Sequence, residues 1–154
     1  MGADLYRTKL YKANSDKWEA KFAAAVKKRD MLTDFYKLPR EAEPVKEAQK
    51  KVSYYYDKMY AVGYYRDSYN NSNLLWQFEL DYWTWFGSYL KDGELLPAKA
   101  TEILQELGKR EPRFEANLAK MKKADAKYFR QKYRDFRGFL TGAIENNEPI
   151  DCSI

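Results

Sequence analysis

The sequence predicts an all-α fold, a helical bundle of about five to six helices in a single domain spanning residues 1–154. The first two helices form an antiparallel hairpin, preceded by a short N-terminal arm. Three observations predict this. Apolar residues recur at spacings of three and four through most of the chain. Proline and glycine fall at the borders of those segments. Apolar residues make up 45% and charged residues 33%, a globular balance.

Each element follows in order. Gly2 to Ala13 alternates weakly, with Leu5, Tyr6, Leu10 and Tyr11 among polar residues, and reads as a short strand or an extended arm. Asp16 with Glu19 has capping-box spacing, so the first helix starts near Ser15 or Asp16. Trp18, Phe22, Ala25, Leu32 and Tyr36 form its face, and Leu38-Pro39 ends it, because a residue before proline avoids the helical region. Pro44 suits the first turn of the second helix. Val45, Ala48, Val52, Tyr55, Met59 and Val62 make its seam, and Gly63 closes it. The short connection makes these two helices an antiparallel pair. Residues 64–73, YYRDSYNNSN, read as a loop. A third helix spans Leu74 to about Leu90, a fourth runs from Pro97 to Gly108, and Pro112 opens a last one to about Glu145. Its apolar set shifts face, so a bend is expected near Ala124-Asp125.

Composition excludes several function classes. The chain has no His, which removes the usual general base and the commonest metal ligand. It has one Cys, Cys152, so no internal disulfide forms and a reducing, cytoplasmic setting is expected. No apolar run approaches the about 18 residues of a membrane span, so no membrane role is expected. No metal or cofactor is expected, no catalytic residue is assigned, and the chain does not read as an enzyme. The anomaly is 17% aromatic residues, with 14 Tyr and 4 Trp. Such rings suit a core edge or a protein interface.

Three features are candidate sites. Arg66, Asp67, Ser68, Tyr69 and Asn70 form a polar loop, the kind of segment that carries binding groups. Glu79 falls on the apolar face of the third helix at about 100° per residue, where a carboxylate needs a partner. Arg29, on the apolar face of the first helix, is the expected partner in a buried pair, with Arg66 the alternative. Lys120, Lys123, Lys127, Arg130, Arg134 and Arg137 step by three and four into one basic stripe. Residues 109–137 hold eleven Lys or Arg against four Asp or Glu. The stripe fits phosphate tracking, an acidic protein or a plain solvated face.

The opening GADLY, the central GYYRDSYNNSNLLW and the closing Pro149-Ile150-Asp151-Cys152-Ser153-Ile154 resemble a set of small uncharacterised bacterial or phage proteins. Those open with Met-Gly-Ala-Asp-Leu-Tyr. The resemblance implies a bacterial or phage origin and carries no activity, substrate or catalytic residue. The function expected from the residues is a non-enzymatic helical module that binds a protein partner or itself. The alternatives are nucleic-acid or phosphate binding through the stripe, and a small-ligand site or enzyme built on Glu79 and Arg66.

Overall fold

The alternation in the opening residues is that of a strand, β1 (Gly2–Arg7), with Ala3 and Leu5 fully buried. The computed structural model describes residues 2–68 and 72–154. β1 pairs antiparallel with β2 (Tyr64–Ser68), where Leu5 faces Tyr65. On its other edge it pairs antiparallel with β4 (Ile150–Ser153), where Leu5 faces Cys152. A two-residue strand, β3 (Glu94–Leu95), completes the order β2-β1-β4-β3. The protein is therefore mostly helical with a small antiparallel sheet, which corrects the all-α expectation. The sequence offered β1 as a strand or an extended arm, whereas β2, β3 and β4 were not expected; β3 and β4 are too short to display a period.

The chain gathers into two compact units, Met1–Thr8 with Tyr64–Ile154, and Lys9–Gly63. In the first, two long helices pack against each other: α3 (Pro97–Leu118) and α4 (Lys123–Glu145). The bend expected near Ala124-Asp125 is a full break at residues 119–122. The break expected between Gly108 and Pro112 is absent, and α3 runs through both. The residue whose carbonyl the Pro112 ring crowds is Gly108, four positions earlier, whose backbone adjusts most freely.

The expected third helix does not form. Folding buries Gln77 and Leu80 along with Leu75, Phe78 and Phe86, more than one face of a straight helix could present. The segment breaks into helical turns at Leu75–Phe78, Tyr82–Phe86 and Gly87–Tyr89. Glu79 takes a left-handed φ of 57° and Asp81 is extended, its carboxylate capping the next turn by accepting from Thr84 N–H. Leu74, Leu75, Phe78, Tyr82 and Phe86 all become buried as a result. Phe78 stacks on Phe114 of α3 with centroids 4.4 Å apart, and Tyr133 of α4 meets Phe78 edge-on at 4.9 Å. Phe136 closes on Tyr65 of β2 at 4.9 Å. The core thus lies where the helices meet the sheet.

The second unit is a helical hairpin, as expected. Here α1 (Thr8–Asp30) continues through a wide, π-type turn at Met31–Phe35, and α2 (Glu43–Met59) starts with Pro44 in its first turn. The helices run antiparallel: Tyr11 meets Tyr60, Trp18 meets Tyr55, and Arg29 meets Gln49. Helix α1 starts at Thr8, well before the expected cap, and Asp16 lies inside it, in an exposed pair with Lys12 at 2.9 Å. Among the described residues of this unit only Ala25, Val45, Ala48 and Val52 are buried. All four are small, so the hairpin has a thin core.

Candidate functional site

β2 turns alternate residues inward, and this places a carboxylate in the core. Tyr65 and Asp67 are buried, while Arg66 is exposed. Asp67 accepts hydrogen bonds from the Tyr82 hydroxyl at 2.8 Å, from Leu74 N–H at 2.9 Å and from Ser68 N–H at 2.8 Å. Tyr65 O–H reaches it at 3.4 Å, and the Lys132 ammonium of α4 lies 3.6 Å away. Lys132 also donates to the Arg66 carbonyl at 2.7 Å and sits 5.2 Å over the Tyr65 ring. The bonds to Ser68 and Leu74 tie the end of β2 to the residue that starts the helical turns. Donors surround the carboxylate, which suits an anchor better than a base.

The expected polar loop is therefore a strand in its first part. Arg66 pairs with Asp4 across the β1–β2 ladder at 3.5 Å. Asp4 also accepts from the Tyr64 hydroxyl. Tyr69 and Asn70 lie outside the described residues.

The Glu79–Arg29 pair is corrected. Glu79 is exposed and its carboxylate pairs with Arg113 of α3 at 2.9 Å. The left-handed turn at Glu79 breaks the helical phase that would have faced it inward. Arg29 instead holds Asp30 at 2.6 Å and Gln49 at 3.3 Å. Half-exposed pairs of this kind contribute less than about 1 kcal/mol.

The basic stripe is exposed along its length, with Lys120 in the break ahead of α4 and the other five residues on α4 itself. Glu115 pairs with Arg130 at 2.7 Å, and Glu111 pairs with Arg137 at 3.4 Å. Acids of α3 thus neutralise two of the six positions. Lys120, Lys123, Lys127 and Arg134 have no ion-pair partner among the described residues.

No protein family matches this chain, and no curated protein or solved structure is similar to it. Among the described residues, no helix is long and apolar enough to cross a membrane. Among the same residues, no group of three or more Cys, Asp or Glu side chains is placed to hold a metal ion.

Two features had no signal in the sequence. Arg7, at the end of β1, forms an ion pair with Glu148, and their side chains are only 13% and 2% exposed. The guanidinium lies where a side chain at Gly142 would otherwise project. Nothing in sequence spacing links positions so far apart. The other is a groove on the hairpin, lined by Phe22, Ala23, Val26, Met31, Phe35 and Met59. Phe35 is 73% exposed. A window search finds helices, whereas this groove follows from which helix face stays uncovered.

Several buried acids titrate high. Burial pushes the Cys152 thiol from 9.0 up to about 12. Burial first, then the carboxylates they touch, raises the phenols of Tyr64 and Tyr133. Burial, then the Asp67 charge, raises Tyr65, and burial, then Tyr65 and Asp67, raises Tyr82. Each group is harder to ionise in the folded state than in the unfolded one. Its contribution to stability is complete below the unfolded pKa and is lost as pH rises through the folded value. The urea midpoint is therefore expected to hold up to about pH 9 and to fall above it, measured by fluorescence at fixed ionic strength. A flat profile to pH 11 would contradict these burials.

Proposed function

We propose that this protein is a non-enzymatic helical interaction module of bacterial or phage origin, and that its hairpin takes an amphipathic helix of a protein partner into the groove along α1. The observation that carries this reading is the thin core of the hairpin beside a row of uncovered apolar side chains. Isolated exposed apolar residues are ordinary, whereas a contiguous row on one helix face marks an interaction surface. The groove extends from Glu19 to Phe35, which at 1.5 Å per residue is about 24 Å, or four turns of a bound helix. A helix laid in such a groove anchors through residues at three-and-four spacing.

Charge selects the partner's chemistry. Residues 9–63 contain thirteen Lys or Arg against eight Asp or Glu, which accounts for the whole chain's +5. The groove border reverses this sign, with Glu19, Asp30 and Asp34 against Lys27. The fitting partner is a helix whose apolar stripe is edged by Lys or Arg.

The test is selection of helical peptides from a display library against the full chain. Enriched peptides should carry apolar residues at three-and-four spacing with basic edges. Ala23→Asp, at an exposed position on the groove, should reduce their binding at least tenfold while leaving the urea midpoint in place. Enrichment of acidic or non-helical peptides, or binding indifferent to Ala23→Asp, would refute the reading.

A further inference from the structure

The left-handed turn at Glu79 also opens a pocket in the sheet-bearing unit. The cavity is about 500 Å³, within the roughly 300–1,000 Å³ typical of small-molecule sites. One wall is the stretch from the helical turn at Trp76 through Glu79 to the extended Asp81, and the other is the corner where α3 gives way to α4, at Asn117, Lys120 and Met121. A non-glycine residue held at φ 57° is a strained backbone position, and such strain concentrates at binding sites. Here it serves a geometric purpose. It sends Glu79 and Asp81 to the same cleft two residues apart, where a continuous helix would separate them by about 200°.

The chemistry of the walls is mixed in a specific way. Trp76 is 49% exposed although its neighbours Leu75 and Gln77 are buried. Its indole, with Leu80 and Met121, supplies an apolar patch. Around that patch stand hydrogen-bonding groups with capacity to spare. Asp81 spends one carboxylate oxygen on Thr84 N–H. Asn117 donates its amide to the Gln77 carbonyl at 3.0 Å, and its own side-chain oxygen has no partner among the described residues. Lys120 has no ion-pair partner among the described residues. Glu79 is balanced by Arg113 at 2.9 Å.

Charge then narrows the ligand. The walls carry two carboxylates and one ammonium, and Arg113, which does not line the pocket, neutralises Glu79, so the net charge facing a ligand is close to zero. An anion would meet Glu79 and Asp81, and a cation would meet Lys120. A neutral ligand with an apolar face and an edge of hydroxyls satisfies every wall. We infer that this pocket binds a neutral saccharide, with a pyranose ring stacked on Trp76 and its hydroxyls donating to Asp81 and Asn117 while accepting from Lys120. This site is separate from the hairpin groove, and either reading can fail without the other.

The experiment titrates the full-length protein with glucose, galactose, mannose and N-acetylglucosamine. It reads the indole N–H signals of the four Trp residues and the Asn117 side-chain amide by two-dimensional NMR. At least one sugar should give saturable shifts at Trp76 and Asn117, leaving Trp18 unmoved. Trp76→Ala should abolish the shift at Asn117. Asp81→Asn, which keeps the capping oxygen, should weaken binding at least tenfold with the fold intact. Glucosamine and glucuronate, which are charged, should bind less well than their neutral counterparts. The inference is overturned if none of the four sugars shifts these signals. It is equally overturned if Asn117 still responds in Trp76→Ala, or if only a charged sugar binds.

Discussion

Asp67→Ala is expected to destabilise the sheet-bearing unit by about 3–5 kcal/mol, the cost of breaking a buried charged network from one side. The loss has several parts. Tyr82 is only 2% exposed and would keep its hydroxyl with no carboxylate to receive it. Leu74 N–H would be stranded in the core. Lys132, whose side chain is 18% exposed, would lose its counter-ion. Urea unfolding followed by Trp fluorescence measures the change. Asp67→Asn keeps an acceptor but loses the charge, so it should cost about 1–3 kcal/mol. Tyr82→Phe should cost only about 1 kcal/mol, because the carboxylate retains its other donors. A loss below about 1 kcal/mol in Asp67→Ala would mean that Asp67 does not anchor this unit.

The second large effect concerns Arg7 and Glu148. Arg7→Met should cost about 3–5 kcal/mol, because it leaves Glu148 buried without its guanidinium. The double variant Arg7→Met/Glu148→Leu should recover most of that loss, since a buried pair and an apolar pair of similar volume differ little. A double-mutant cycle in urea reads the coupling. Gly142→Ala offers an independent probe, because its methyl group would push on the guanidinium without touching either charge. If the single and double variants are equally unstable, the loss comes from packing and not from an unpaired charge.

The parts of the fold legible in the sequence were those where one face is buried over several turns. Pro44 and the Val45–Ala48–Val52 seam located α2, and all three apolar residues are buried. Ala100, Ile103 and Leu107 located α3 in the same way. The failures share a cause too. In β2 the inward positions are Tyr65 and Asp67, and a charged residue in the core hides the alternation that would mark a strand. Between Leu74 and Leu90 one broad apolar face read as a continuous helix, and nothing in that spacing marked where the chain breaks. Pro112 and Gly108 suggested a border that α3 ignores, because packing overrides local preference.

The site was legible only as a set of names. Arg66, Asp67 and Ser68 stood out as a polar cluster, and Asp67 is indeed the best-connected carboxylate in the described structure. Its partners, Tyr82 and Lys132, came from elements whose phase or position the sequence did not disclose. Glu79 was singled out for burial, yet what sets it apart is its backbone angle.

The sheet imposes an order on how this chain is made. Its two inner strands, β1 and β4, come from residues 2–7 and 150–153, so the central ladder closes a loop that contains all four long helices. During vectorial synthesis, β1 emerges well before β4 and must wait, with one edge unsatisfied, until the helices between them have been translated. Local helical contacts can form early, whereas the ladder carries the full entropic penalty of distant closure. The step that seals the sheet is therefore among the last to occur, and a nascent chain stalled before residue 150 would expose an open strand edge to its neighbours.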